Sequence, residues 1–114
     1  MIIESADMAK TVREHMRGGS GEVEQITVVP ADKLINARLF AKLVLKPGCS
    51  IGEHEHSHEV EYYYILQGEG IVTEADGDHH VKANDVVITG WGSSHSIRNE
   101  GKQTLELLAV ISVE

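Results

Sequence analysis

Residues 48–68 read "GCSIGEHEHSHEVEYYYILQG", with His54, His56 and His58 inside five positions and Glu61 close behind them. In an extended strand, residues two apart share a face, so His54 and His56 stand on one side about 6.6 Å apart along the chain. Two imidazoles at that spacing reach a common cation at about 2.1 Å from each nitrogen. Glu61 follows His56 by five positions, and one unbroken strand would turn it to the opposite face. A turn over Ser57 to Val60 removes that conflict and starts a new strand with Glu61, Tyr63 and Ile65 inward and Tyr62, Tyr64 and Leu66 outward. Taken alone, the segment fits two readings. One is a hairpin holding a metal; the other is a charged hairpin facing solvent, where His and Glu usually lie.

Outward from this stretch, the chain is a series of short runs rich in β-branched residues and tyrosine: "EQITVV", "ARLFAKLVL", "EVEYYYIL", "GIVTEA", "DVVIT", "HSIRN" and "TLELLAVISV". Turn signals separate them, the strongest being "ADGD" at 75–78, because Asp-Gly suits the positive φ of tight hairpins. "QGEG", "KAND", "GWGSS" and "NEGKQ" mark further turns. Many short strands with frequent turns predict an all-β sandwich or barrel. Helix has one candidate segment, Ser5 to Met16, stopped by "RGGSG" at 17–21; an extended arm suits the same residues. The expected organisation is an N-terminal arm over 1–21 and a single β-barrel domain over 22–114.

The length of 114 residues supports one domain with one core. Ten basic against eighteen acidic residues give a formal charge of −8, which repels phosphate backbones and anionic lipid. Nucleic-acid and membrane partners are therefore not expected. Cys49 is the single cysteine, so no internal disulfide forms. The amino terminus lacks a signal-like apolar stretch, and no run approaches the ~20 apolar residues of a span. A soluble, cytoplasmic protein is expected.

His95 sits in "GWGSSHSIRN", a glycine-bounded turn entering a short strand. It reads either as a satisfied buried histidine or as an inward ligand. His15, His79 and His80 read as surface residues. With His95 the pattern resembles the cupins. Their first motif, G-x5-H-x-H-x4-E-x6-G, is met at Gly48, His54, His56, Glu61 and Gly68. Their second, G-x5-P-x-G-x2-H-x3-N, aligns with Asn84, Gly90, Gly92, His95 and Asn99, so Asn replaces its first Gly and Gly its Pro. Asn84 tolerates left-handed backbone, and Gly90 can make the turn that Pro would fix.

The resemblance implies a double-stranded β-helix, the cupin jelly roll, in which His54, His56, Glu61 and His95 hold a divalent metal. Manganese and iron fit this donor set first, zinc and nickel next. One Glu against a dication leaves +1 at the centre, which favours a small anionic oxygen ligand despite the acidic chain. The chain looks similar to small stand-alone bacterial cupins of the oxalate-decarboxylase-like kind. Their implied chemistry is that of a dioxygenase, decarboxylase or isomerase acting on a carboxylate or enolate; the alternative is a non-catalytic binding or sensing module. Where oxalate decarboxylases and oxidases carry Arg or Asn three residues before the first ligand histidine, this chain has Ile51, which argues against oxalate chemistry itself. Arg38 and Lys42 have matching parity on the preceding strand and could replace it, or both could lie outside the barrel. Tyr63 and Glu53 lie near the ligands with no assigned role. The Tyr62, Tyr64 and Leu66 stripe predicts a homodimer.

Overall fold

The computed structural model describes residues 1–114. Ten strands run β1 (Lys10–Glu14), β2 (Glu22–Thr27), β3 (Ala37–Leu45), β4 (Ser50–Glu55), β5 (Glu59–Gln67), β6 (Glu69–Glu74), β7 (Gly77–Lys82), β8 (Val86–Gly90), β9 (Ser94–Arg98) and β10 (Leu105–Val113). They form a six-stranded sheet ordered β1-β2-β3-β10-β5-β8 and a four-stranded sheet ordered β4-β9-β6-β7. Every pairing is antiparallel. This is the jelly roll that the sequence predicts. No helix is long and apolar enough to cross a membrane.

The core lies between the two sheets, where alternation along each strand aims one face inward. Leu43 and Leu45 of β3, Ile51 of β4, Tyr63 and Ile65 of β5, and Leu105 and Leu107 of β10 are all buried there. Tyr62, Tyr64 and Leu66 point the other way and are exposed, matching the expected parity. Between β5 and β6 the chain leaves one sheet for the other within a single residue, Gly68, at φ +81. A Cβ there would sit 2.5 Å from the Thr104 carbonyl oxygen, so only glycine fits.

Segment 5–16 contains no α-helix. Short 3-10 turns at Ser5–Asp7 and Met16–Gly18 flank β1, which pairs with β2 from Lys10↔Ile26 to Glu14↔Glu22. Helical periodicity there was weak, and every β1 residue is exposed, so no apolar helix face had a core to join. Gly90 also differs from its expected role. It ends β8 without positive φ, and what excludes a side chain is the Glu59 carbonyl, 2.7 Å from where a Cβ would stand. Asn84 does take left-handed backbone, at φ 75.

Asn99, just after β9, ties three segments together. Its Nδ2 donates to the carbonyls of Leu45 (2.9 Å) and Gln103 (2.8 Å), and its Oδ1 accepts from the Gly101 amide (2.9 Å). The side chain is buried, so truncation strands backbone groups without water. Asn99→Ala is expected to cost about 3 kcal/mol of unfolding free energy, read as a lower urea midpoint with unchanged slope.

Candidate metal centre

Strands β4, β5 and β9 bring four side chains together: His54 near the end of β4, His56 just beyond it, Glu61 from β5 and His95 from β9. The decisive register is His54↔His95, in which the two histidines stand opposite one another across antiparallel strands. The preceding pair is Ile51↔Ile97, so β4 advances three residues while β9 advances two. The extra residue is a β-bulge at Gly52–Glu53, and it restores an inward direction to His54. Without it, Ile51 inward would put His54 outward.

The four donor atoms are closely packed. His95 Nε2 lies 3.0 Å from His54 Nε2, 3.2 Å from His56 Nε2 and 2.9 Å from Glu61 Oε1. Glu61 Oε1 is also 2.9 Å from His56 Nε2 and 3.4 Å from His54 Nε2. Donors about 2.1 Å from one ion are separated by about 3.0 Å when they are cis in an octahedron. The observed spacings therefore suit a single cation.

The protonation states point the same way. His54 Nδ1 donates to the Gly52 carbonyl at 2.7 Å, which leaves the lone pair of a neutral ring on Nε2. His56 Nδ1 donates to the Glu59 carboxylate, with the same consequence. Glu59 is held by two 2.8 Å bonds from Arg38, which with the His56 contact lower its pKa to about 2 against opposing burial. That contribution is present above the ordinary carboxylate range and is lost as pH falls through about 2. Burial raises the Glu61 pKa, but the imidazoles around it, of which His95 alone is placed to donate to Oε1, outweigh it and bring it down to about 2. In the neutral tautomers that these contacts select, three of the four converging atoms carry no proton, and only His95 can place one on Nε2. Burial depresses the His95 pKa, opposed by Glu61, so a second proton on its ring is disfavoured. Its Nδ1 has no partner. One proton cannot serve five close contacts; a dication can.

The remaining residues of interest take clear places. Tyr63 stacks on His95 with ring centroids 4.8 Å apart, and burial followed by the Glu61 charge keeps its phenol protonated. His58 is exposed, at φ 59, with its ring 3.5 Å from the Glu114 carboxylate. His79 and His80 lie on exposed β7, His79 paired with Asp76 at 2.7 Å. Glu53 points outward. Lys42 is outside the barrel beside Glu106, whereas Arg38 reaches the interior side. The two share parity, but a bulge opposite Ile111–Ser112 changes the direction of the strand end at Arg38.

His54, His56 and Glu61 open onto a cavity of about 600 Å³, lined further by Arg13, Glu14, His15 and Arg17 from the N-terminal segment, Gln25 of β2 and Arg38 of β3. Sequence reasoning missed the arm residues as part of the site. Ile51, by contrast, is fully buried in the core and lines no part of this cavity.

Comparison with known proteins supplies the family. The Cupin domain family matches residues 41–111. An oxalate-binding protein of Thermotoga maritima is 46% identical over 97% of this chain and 93% of its own length. A Thermotoga maritima crystal structure described as a predicted oxalate decarboxylase superposes with a TM-score of 0.95 at 43% identity, covering 100% of both chains. The cupin domain of Schizosaccharomyces pombe Cnp3 shares the fold alone, with a TM-score of 0.70 at 21% identity over 91% of this chain and 69% of that one.

Replacing Glu59 by Gln removes the charge that orients His56, and loss of such a partner weakens a metal site by about 10–100-fold. Dialysis against graded chelator, followed by elemental analysis, should show that shift for Glu59→Gln. His56→Ala or His95→Ala should retain no ion, and His79→Ala should match the wild type; equal metal content in all would refute the ligand assignment.

Proposed function

The chain belongs to the cupin family, and on that footing we propose that it binds one divalent cation through His54, His56, Glu61 and His95, and on it a small dicarboxylate of the oxalate class. The observation that carries this reading is the proton-poor donor set opening onto a cavity edged by arginines. Manganese or iron suits three imidazoles and one carboxylate with positions to spare. When bound, such an ion supplies Lewis acidity to an oxygen ligand. The protein's own residues do the rest. Glu59 and Gly52 fix the ring orientations of His56 and His54, Tyr63 backs His95, and the arginines offset the nearby carboxylates inside a chain of net charge −8.

The Thermotoga maritima relative is described as oxalate-binding, and its similarity extends over almost the whole chain. Ile51 raised an objection to oxalate chemistry, because an apolar side chain cannot hold a carboxylate. That objection loses force once Ile51 lies in the core and the cations around the cavity come from β3 and the N-terminal segment.

An enzymatic role is the second reading, and Glu14 and His15 favour it. Both line the cavity as titratable groups outside the donor set, and a decarboxylase, dioxygenase or isomerase needs a proton-transfer group within reach of substrate. A non-catalytic binding protein needs neither. Calorimetry with manganese-loaded protein should show saturable binding of oxalate, and metal-free protein none. Release of formate or carbon dioxide during the same incubation would establish catalysis; binding with no product would leave a binding protein.

The exposed face of β5 and β8 presents Tyr62, Tyr64, Leu66, Val86 and Ile88 side by side. An apolar sheet face of this extent is expected to be covered, and we propose that a second copy of the chain covers it. Sedimentation at micromolar concentration should give a dimer, and Tyr62→Glu combined with Ile88→Glu should give a monomer. A monomeric wild type would overturn this assembly.

A further inference from the structure

The cavity carries three arginines with unequal commitments. Arg38 is engaged by Glu59 through two 2.8 Å bonds, and Arg13 Nε donates to Gln25 Oε1 at 3.2 Å. Arg17 has no carboxylate within ion-pair distance and no side-chain hydrogen bond, although it lines the cavity. Tyr63, which stacks on His95, lines the same cavity.

The backbone around Arg17 is built at some cost. His15 and Arg17 both hold left-handed conformations, φ 48 and 54, which bulky residues seldom adopt. Gly19 and Gly52 allow the segment to lie directly on β4. A Cβ on Gly52 would be 2.1 Å from the Arg17 carbonyl oxygen, and one on Gly19 would be 2.2 Å from the Ser50 carbonyl oxygen. The contact is fastened by the Ser50 amide donating to the Ser20 carbonyl at 2.9 Å and the Ser20 amide donating to Ser50 Oγ at 2.8 Å. Arg17 is thereby pinned against the strand that carries His54 and His56.

We infer that Arg17 is a specificity-determining residue: its guanidinium receives the oxygens of a dicarboxylate that the ion leaves free. This rests on the reading of the site as a metal-dependent dicarboxylate binder. Charge balance supports the assignment. A dication and Glu61 leave +1, a dicarboxylate brings the centre to −1, and Arg17 restores neutrality, since Arg13 and Glu14 at the same rim cancel one another and Glu59 cancels Arg38. A guanidinium also matches a carboxylate with two parallel hydrogen bonds, which favours a dianion over a monoanion or a neutral sugar.

The test is calorimetric titration of oxalate into manganese-loaded protein, with metal content measured on the same samples. Arg17→Gln should bind manganese as the wild type does while its Kd for oxalate rises about tenfold or more. Arg17→Gly should give the same loss of affinity with Tm unchanged or higher, since glycine accepts φ near +54 without strain. Lys10→Gln removes a cation from the same segment, outside the cavity, and should change Kd by less than about twofold. Oxalate affinity retained within about twofold in both Arg17 variants, or lost equally in Lys10→Gln, overturns the inference while the metal-dependent binding reading stands. Wild-type protein that holds manganese and binds no oxalate overturns both.

Discussion

Three imidazole nitrogens and one carboxylate oxygen meet at contacts of 2.9–3.4 Å, with His56, Glu61 and His95 buried and His54 half-buried, and the surrounding residues must satisfy that constraint. The outer nitrogens of His54 and His56 donate to the Gly52 carbonyl and to Glu59, so the inner ones carry lone pairs. Glu61 faces them ionised. Electron pairs crowded in this way in a low-dielectric interior repel unless positive charge lies among them. The barrel supplies the rigidity that holds them in place. The pairing of His54 with His95 couples β4 to β9, and Tyr63 packs flat against the third ring.

From that centre outward, charge alternates. Glu61 meets the site, Glu59 supports His56 from behind, and Arg38 holds Glu59. The N-terminal segment then adds Arg13 and Arg17 at the exposed rim. Arg13, Arg17 and Arg38 offset Glu14, Glu59 and Glu61 around the cavity, so the −8 of the whole chain is not felt there and a bound dication would make the local field positive. The acidic surplus lies elsewhere on the surface, and it disfavours polyanions without repelling a small carboxylate inside a cavity.

The site was legible because metal chemistry restricts residue type and spacing. His54, His56, Glu61 and His95 stand in one cluster, and the inward and outward faces of β5 follow simple alternation. What alternation cannot show is where it breaks. The bulge at Gly52–Glu53 and the one beside Arg38 each reverse a face, and each depends on the partner strand's register rather than on local propensity. Gly52 inside a strand was the available signal, since an isolated strand glycine often marks a bulge or a close backbone approach, and here it marks both. Arg38 carried no such mark. The N-terminal segment was hardest to place, because its strand buries no side chain and leaves no hydrophobic period to detect. Its placement comes from backbone pairing with β2 and from the mutual approach of Gly19 and Gly52 to their neighbours' carbonyls. Arg17 therefore looked like part of a helix-stopping "RGGSG" turn, although it lines the cavity.

X-ray absorption at the metal edge, on protein loaded with one equivalent of manganese or iron, addresses the central claim directly. The account predicts a first shell of mixed nitrogen and oxygen at about 2.1–2.2 Å, with outer-shell scattering from three imidazole rings. A shell of oxygen alone, lacking imidazole scattering, would show that the ion sits among surface carboxylates and that the histidines at 54, 56 and 95 are packing residues.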